Sequence, residues 1–302
     1  MLAQVSSIPR LDVDRDVQSS RVWTVVLTAD APPAGDWPRR RVGRRPGFRP
    51  PLRTASDARR TLERAARLAP AGQMIVVITR RQVAVWEGEL SAVPSIRRIV
   101  QPLYRGRAAE LLLPLLTIAG QDPSATVVVL PTDHRVDHDV RFLRYLRRAV
   151  WAVALRPEVP ILIGAHPHVA VADGWIEPGA PVDGLEDLAV HTVKRFVDEA
   201  TAAERRRLFE ASALVSTSIL VARAGTLLSL AQRTLPEILE ALEPLQAAFG
   251  RPEEPLLCEA VYECMPRGGL GPLERAPELA VLALPDAVWC APERERLELL
   301  AG

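Results

Sequence analysis

Lysine is almost missing from this chain: of 38 basic residues only Lys194 is a lysine, and the rest are arginines. A guanidinium stays protonated, so any mechanism that needs two lysines is excluded by counting. Cysteine is scarce too. Cys258, Cys264 and Cys290 neither pair off evenly nor show the two-residue spacing of a zinc knuckle, which argues against a disulfide framework and against a metal cluster. No apolar run approaches the roughly 18 to 20 residues of a membrane span. The opening MLAQVSSIPRLDVDRD mixes acids and bases where a secretory leader places an apolar segment. The expectation is a cytoplasmic protein with no membrane partner. A net charge of +1 gives no overall bias toward polyanions.

What is present is apolar and punctuated. Hydrophobic residues make up 48% of 302, enough to bury one large core or two modest ones, and 27 prolines make the loops stiff and frequent. No repeat and no low-complexity linker breaks the chain. Strand-like and helix-like runs alternate, the pattern of an α/β protein whose mixed, mostly parallel sheet is flanked by helices. Strands are expected at Val22 to Leu27, from Met74, at Ile96 to Val100, at Val127, from Val159, at Leu188 to Val197, at Leu214 to Ala222 and at Leu279 to Leu284. Helices are expected at Ser56 to Leu68 with Ser56 or Asp57 as cap, at Ala108 to Ala119 interrupted by Pro114, and at Val140 to Leu155. Further helices are expected at Ala202 to Ala211 and over Ala224 to Phe249, the latter broken by Pro236 and Pro244. The chain divides into an N-terminal extension over 1–20, one domain over 21–290 and a short charged helical tail over 291–302.

The most informative stretch is ATVVVLPTD, Ala125 to Asp133. Its β-branched run reads as a strand buried on both faces. Ligands in open α/β sheets gather outside the carboxyl ends of strands, so Asp133 stands where phosphates and metals bind. The plainer reading is that Asp133 caps the following helix or closes a turn. His134 and His138 flank Asp137 nearby, but these residues also read as a helix start. His166 and His168 lie in a proline-containing loop after a strand.

Several segments, in order, resemble one family. They are RTLERAARL at Arg60, QPLYRGRAAELLLPLL at Gln101, VVVLPTDH at Val127, LIGAHP at Leu162, DGWIEPG at Asp173, VKRF at Val193 and LVSTSILVARAGTLL at Leu214. Over Trp23 to Leu297 the chain is similar to the sugar-1-phosphate nucleotidyltransferases, in particular the bacterial mannose-1-phosphate guanylyltransferases. The resemblance implies a Rossmann-like nucleotidyltransferase fold that takes a nucleotide over its first half and a sugar phosphate over its second. It also implies in-line attack on an α-phosphorus, which needs positive charge and magnesium.

The matched positions depart from that chemistry. The family's Gly-rich phosphate loop is here TADAPPAGDWP, whose prolines donate no amide hydrogen and whose Asp30 carries the charge of the ligand. A phosphate-contacting lysine is matched by Gly47, and the lysine that contacts the sugar phosphate by Glu199. The Trp-Asn-Ser/Thr stretch is matched by Val215, Ser216 and Thr217, and the late magnesium-holding aspartate falls in a short deletion around Trp289, Cys290 and Ala291. What the resemblance leaves in place is Asp133 as the metal position, Arg105 and Gly106 as vestigial nucleotide-binding residues, and Gly174, Trp175 and Ser216 as vestigial sugar-binding residues. Arg107 stands where the family has threonine, and Asp173 where it has an aromatic. One carboxylate is a poor magnesium site without a substrate phosphate.

The loop PRRRVGRRPGFRPPLR carries seven arginines, Arg39, Arg40, Arg41, Arg44, Arg45, Arg49 and Arg53, and no acid. It is read as a solvated loop that binds an acidic partner surface or folds over the old cleft, filling it in part. The leading functional expectation is a non-catalytic member of the fold, a regulatory or structural subunit bound to a protein partner or a second copy of itself, with a nucleotide sugar as a possible ligand and no cofactor. The alternative is an active mannose-1-phosphate guanylyltransferase using magnesium, with Arg39 or Arg195 replacing the lysines. The third is nucleic-acid binding through the arginine loop.

Overall fold

A computed structural model of the chain describes residues 21–28, 55–132, 135–136, 138–167, 174–285 and 289–290. The N-terminal extension, the arginine loop 38–53 and the tail 291–302 lie outside them. The first half alternates as its periodicity demands: β1 (Val22–Leu27), α1 (Ala55–Ala66), β2 (Met74–Thr79), α2 (Val83–Ser91), β3 (Arg97–Gln101), α3 (Arg107–Gln121), β4 (Thr126–Pro131). Then come the two-residue β5 (Arg135–Val136), α4 (Asp139–Leu155), β6 (Ile161–Ala165), β7 (Trp175–Pro181) and β8 (Val190–Val197). The last part is α5 (Ala202–Glu210), β9 (Leu214–Arg223), α6 (Ala224–Thr234), α7 (Pro236–Ala248), α8 (Glu254–Cys264), α9 (Gly271–Glu274), β10 (Ala280–Leu284) and β11 (Trp289–Cys290).

Nine of these strands form one sheet in the order β3-β2-β1-β4-β9-β6-β10-β8-β7. β1 is parallel to β2 and β4, β2 to β3, and β6 to β10, while β8 and β9 are antiparallel to every neighbour. The sheet is thus mixed, with most strands pointing one way, as the sequence pattern implies. β7 also pairs with the start of β9, which closes β9, β6, β10, β8 and β7 into a ring. The other end of the sheet stays open.

Alternation splits the core into two layers. Val25, Leu27, Ile75, Val77, Val127 and Val129 point to the face covered by α3, α6, α7 and α8. Val26, Met74, Val76, Ile78, Val128 and Leu130 point to the face covered by α1, α2 and α4. All six residues of β4 are buried, as a strand sandwiched by helices requires. Each such side chain contributes about 1.5–3 kcal/mol by leaving water. Phe142, Leu146, Ala149, Val150 and Val153 of α4 recur at helical spacing and bury one stripe.

Four local expectations are corrected. α3 runs unbroken through Pro114: nearly the whole helix is buried against the sheet and α7, and that packing outweighs one missing backbone hydrogen bond. Pro236 divides the segment as expected and opens α7 at its first turn, where a missing amide costs nothing, whereas Pro244 lies inside α7 without breaking it. α1 begins at Ala55, so neither Ser56 nor Asp57 precedes it as a cap. The N-cap of α4 is His138, which removes the reading of Asp133 as that helix's cap.

Candidate functional site

The carboxyl ends of β1 and β2 are tied together by one side chain. Gln82 Oε1 accepts from the Thr79 amide at 2.8 Å, from Thr79 Oγ1 at 3.1 Å and from Thr28 Oγ1 at 2.8 Å. Together with a bond from the other end of the turn this makes a capping box over Arg80–Gln82. Arg81 therefore projects from a fixed turn. It is exposed.

Beyond β3, Arg105 and Gly106 are held by the segment that follows α8. The Arg105 guanidinium donates through Nε to the Tyr262 carbonyl at 2.5 Å and through a terminal nitrogen to the Glu263 carbonyl at 2.7 Å. The Gly268 amide donates to the Arg105 carbonyl at 3.0 Å, and the Ala108 amide donates to the Gly268 carbonyl at 3.1 Å. Gly106 has φ +98°, and a Cβ there would lie 2.2 Å from the Gly268 oxygen. Only glycine allows the two backbones to approach so closely. Arg105 thus serves chiefly to position a loop. Arg107 lies 4.0 Å from the buried Glu110, so its guanidinium faces a carboxylate of the same helix.

Between these two fixed turns is a cleft of about 230 Å³ lined by Thr79, Arg81, Pro102, Leu103, Tyr104, Arg105 and Arg267. It lies at the carboxyl ends of β2 and β3, where ligands gather in such sheets. The sequence singled out Arg105 but not Arg81 or Arg267, which carry no motif of their own. Cys258 and Tyr262 lie on α8, the helix whose last turn holds Arg105. Burial raises both their pKa values, with the Cys258 thiol pushed up to about 11, and keeps both neutral.

The sugar-facing positions are built differently. β9 bulges against β6 between Ile163 and Gly164, with Ser218 at φ +54°, and Ser216 sits on the bulge. Its hydroxyl donates to Glu274 Oε1 at 3.2 Å and accepts from the Ser218 amide at 3.1 Å. The Ser216 amide donates to the Gly174 carbonyl at 2.7 Å, and the Gly174 amide to the Asp198 carbonyl at 3.0 Å. Glu274 is buried and its pKa is raised, first by burial and also by the Asp198 charge, against the Ser216 hydrogen bond and the pull of Arg107 and Arg275. Trp175 is 0% exposed and packs with Val197, Ala200, Leu208 and Ala213, so its ring is core rather than a surface for a sugar. Glu199 is exposed at the end of β8. Arg195, the expected substitute for a lysine, is shared between Glu177 at 3.5 Å and Glu204. Lys194 is 4.0 Å from Glu177.

Asp133, Asp137, His134, His168, Asp173, Asp30, Gly47 and all seven loop arginines, Arg39 included, lie outside the described residues, as does any filling of the cleft by that loop. His166 is exposed. Among the described residues no group of three or more His, Cys, Asp or Glu could hold a metal ion, and no helix is long and apolar enough to cross a membrane.

The sheet order and the helix layers are those of an α/β, Rossmann-like nucleotidyltransferase fold. No family model and no curated protein matches the sequence. Among solved structures, the chain is similar to a mannose-1-phosphate geranyltransferase from Thermus thermophilus, with 24% identity, a TM-score of 0.71, and coverage of 90% of this chain and 76% of that one. It is also similar to a mannose-6-phosphate isomerase from Helicobacter pylori, with 14% identity, a TM-score of 0.67, and coverage of 89% and 99%. The two are named for different reactions, so the shared fold does not by itself assign one.

Proposed function

We propose that the chain is a non-catalytic member of this fold, of mannose-1-phosphate guanylyltransferase descent, that acts as a regulatory or structural subunit bound to a partner protein or to a second copy of itself. The observation that carries this reading is the charge at the sugar-phosphate end. Glu199 is an exposed acid where the resemblance places the lysine that contacts the sugar phosphate. At 4 Å two unit charges interact by about 1 kcal/mol in water and about 4 kcal/mol at a protein surface. Exchanging attraction for repulsion counts that energy twice. Neighbouring groups do not compensate, since Arg195 and Lys194 face Glu177 and Ser216 is committed to Glu274.

The test is turnover by the full chain with mannose 1-phosphate, GTP and magnesium, followed as pyrophosphate release. No release above the uncatalysed background is expected. Release that disappears in Asp133→Ala would replace this reading with that of an active guanylyltransferase.

A further inference from the structure

The two faces of the sheet are covered by helices of opposite charge. On one face α1 and α4 together carry seven arginines against three acids, whereas on the other α7 and α8 carry six glutamates and no base. The overall charge of +1 conceals this separation. The chain answers part of it internally: Arg59 pairs with Glu89, Arg64 with Asp139 and Glu259 with Arg80. Arg141 and Arg144 on one face, and Glu240 and Glu263 on the other, are exposed and make no ion pair among the described residues. Both faces also show apolar surface among these charges. Along the outer side of α4, opposite its buried stripe, Val140, Arg144, Arg147 and Leu155 recur at helical spacing, with Val140 70% and Leu155 50% exposed. Between α7 and α8, Ala241, Ala260, Val261, Cys264 and Met265 line an open hollow of about 360 Å³. Glu240 and Glu263 adjoin that hollow on its two helices.

We propose that copies of this chain associate head to tail, the outer side of α4 in one copy seated in the groove between α7 and α8 of the next. Arginines then meet glutamates, and Val140 enters the apolar hollow. Like faces cannot pair: α4 against α4 sets arginine on arginine, and α7 against α7 sets glutamate on glutamate, so charge favours only the unlike contact. The contact therefore joins two different surfaces and leaves one of each kind free at the ends, the type of interface that builds rings or chains. The basic face taken alone would also suit a nucleic acid, but that partner leaves the acidic, apolar-floored groove on the opposite face uncovered. A second copy covers both. The inference deepens the function proposed above by naming its partner, and it rests on that reading for the claim that the chain works bound to another subunit.

Sedimentation velocity of the full chain tests it, at low salt and at about 1 M salt, where the screening length falls to about 3 Å. Species larger than the monomer are expected at low salt, and the monomer alone at high salt. Arg141→Glu with Arg144→Glu spoils only the basic face, and Glu240→Arg with Glu263→Arg only the acidic one. Each of these variants by itself is expected to stay monomeric. An equimolar mixture of the two is expected to form dimers and nothing larger, because it holds one intact face of each kind. All four positions are exposed, and recovery in the mixture shows that both variants are folded. Arg144→Gln removes a charge without reversing it and is expected to weaken association about tenfold. Arg206→Glu with Arg207→Glu, the same change of charge on α5, is expected to leave association unchanged. A native chain that is monomeric at low salt would overturn the inference, and so would a mixture that stays monomeric or an equal loss in the α5 variant. A monomeric chain that binds a DNA duplex through Arg141 and Arg144 would overturn it in favour of a nucleic-acid partner. Pyrophosphate release enters none of these outcomes: an active transferase that associates refutes only the functional reading, and an inactive monomer refutes only this one.

Discussion

The two ends of the ligand-facing edge treat charge in opposite ways. At the ends of β2 and β3, Arg81 and Arg267 stand on rigidly held turns and make no ion pair or hydrogen bond among the described residues. At the ends of β7, β8 and β9, nearly every polar group is spent inside the protein: Ser216 on Glu274, Gly174 on Ser216 and Asp198, Arg195 on Glu177 and Glu204. A polar group already satisfied by its own chain has little to offer a ligand, whereas an unpaired cation on a fixed backbone has much. The same scaffold thus leaves cations uncommitted at one end of the sheet and spends its polar groups internally at the other.

Four changes would break or sharpen this contrast. The largest effect is expected for Trp175→Ala. If the ring is core, as its complete burial states, the loss is about 3–5 kcal/mol, read as a drop in the urea midpoint. A midpoint close to that of the native chain would mean that the ring is not core. Gly106→Ala comes next. It forces a Cβ against the Gly268 oxygen at positive φ, with an expected cost of about 3 kcal/mol, read as a lower urea midpoint, because the loop bearing Gly268 must shift. Arg105→Met removes two charge-assisted bonds to the α8 carbonyls while keeping the stem. About 2 kcal/mol of stability should be lost, and the midpoint of chemical denaturation checks it.

Glu274→Gln is the subtlest change and depends on pH. The folded protein raises the Glu274 pKa, so the folded state holds that proton more tightly than the unfolded chain. Stability from this group is present below the unfolded pKa and is lost as pH rises through the folded value. Glutamine cannot ionise and still accepts from Ser216. The variant should therefore gain stability relative to the native chain as pH rises from the ordinary glutamate range toward neutrality, measured as urea midpoints at a series of pH values. A pH-independent difference would mean that Glu274 does not titrate abnormally.

Much of the fold was legible because strong periodicity survives its context. The β-branched runs of β1, β2 and β4 and the apolar stripe of α4 left few alternatives, and the order of segments supplied the topology. The parts that were not legible have physical reasons. VAVWEGELS folds as α2 although only Trp86 and Leu90 of it are buried, too little to mark a helical face. β7 carries two prolines and a glycine in WIEPGAP; Pro178 and Pro181 lie past the Trp175–Ile176 pairing with β9 and face β8 alone, where a missing donor matters least. α8 buries only Tyr262, so its apolar pattern is weak. At the site, Trp175 read as a sugar contact is core, and Arg81 and Arg267 were invisible because a cleft joining residues so far apart in sequence exists only after folding.

The most direct test of the account is an amide NMR titration of the full chain with mannose 1-phosphate, which offers the same phosphate to both ends at once. The account predicts that Gly174, Ser216 and Glu199 stay unmoved. Shifts centred on Gly174, Ser216 and Glu199 would contradict it, by showing that the sugar-facing end still takes its phosphate.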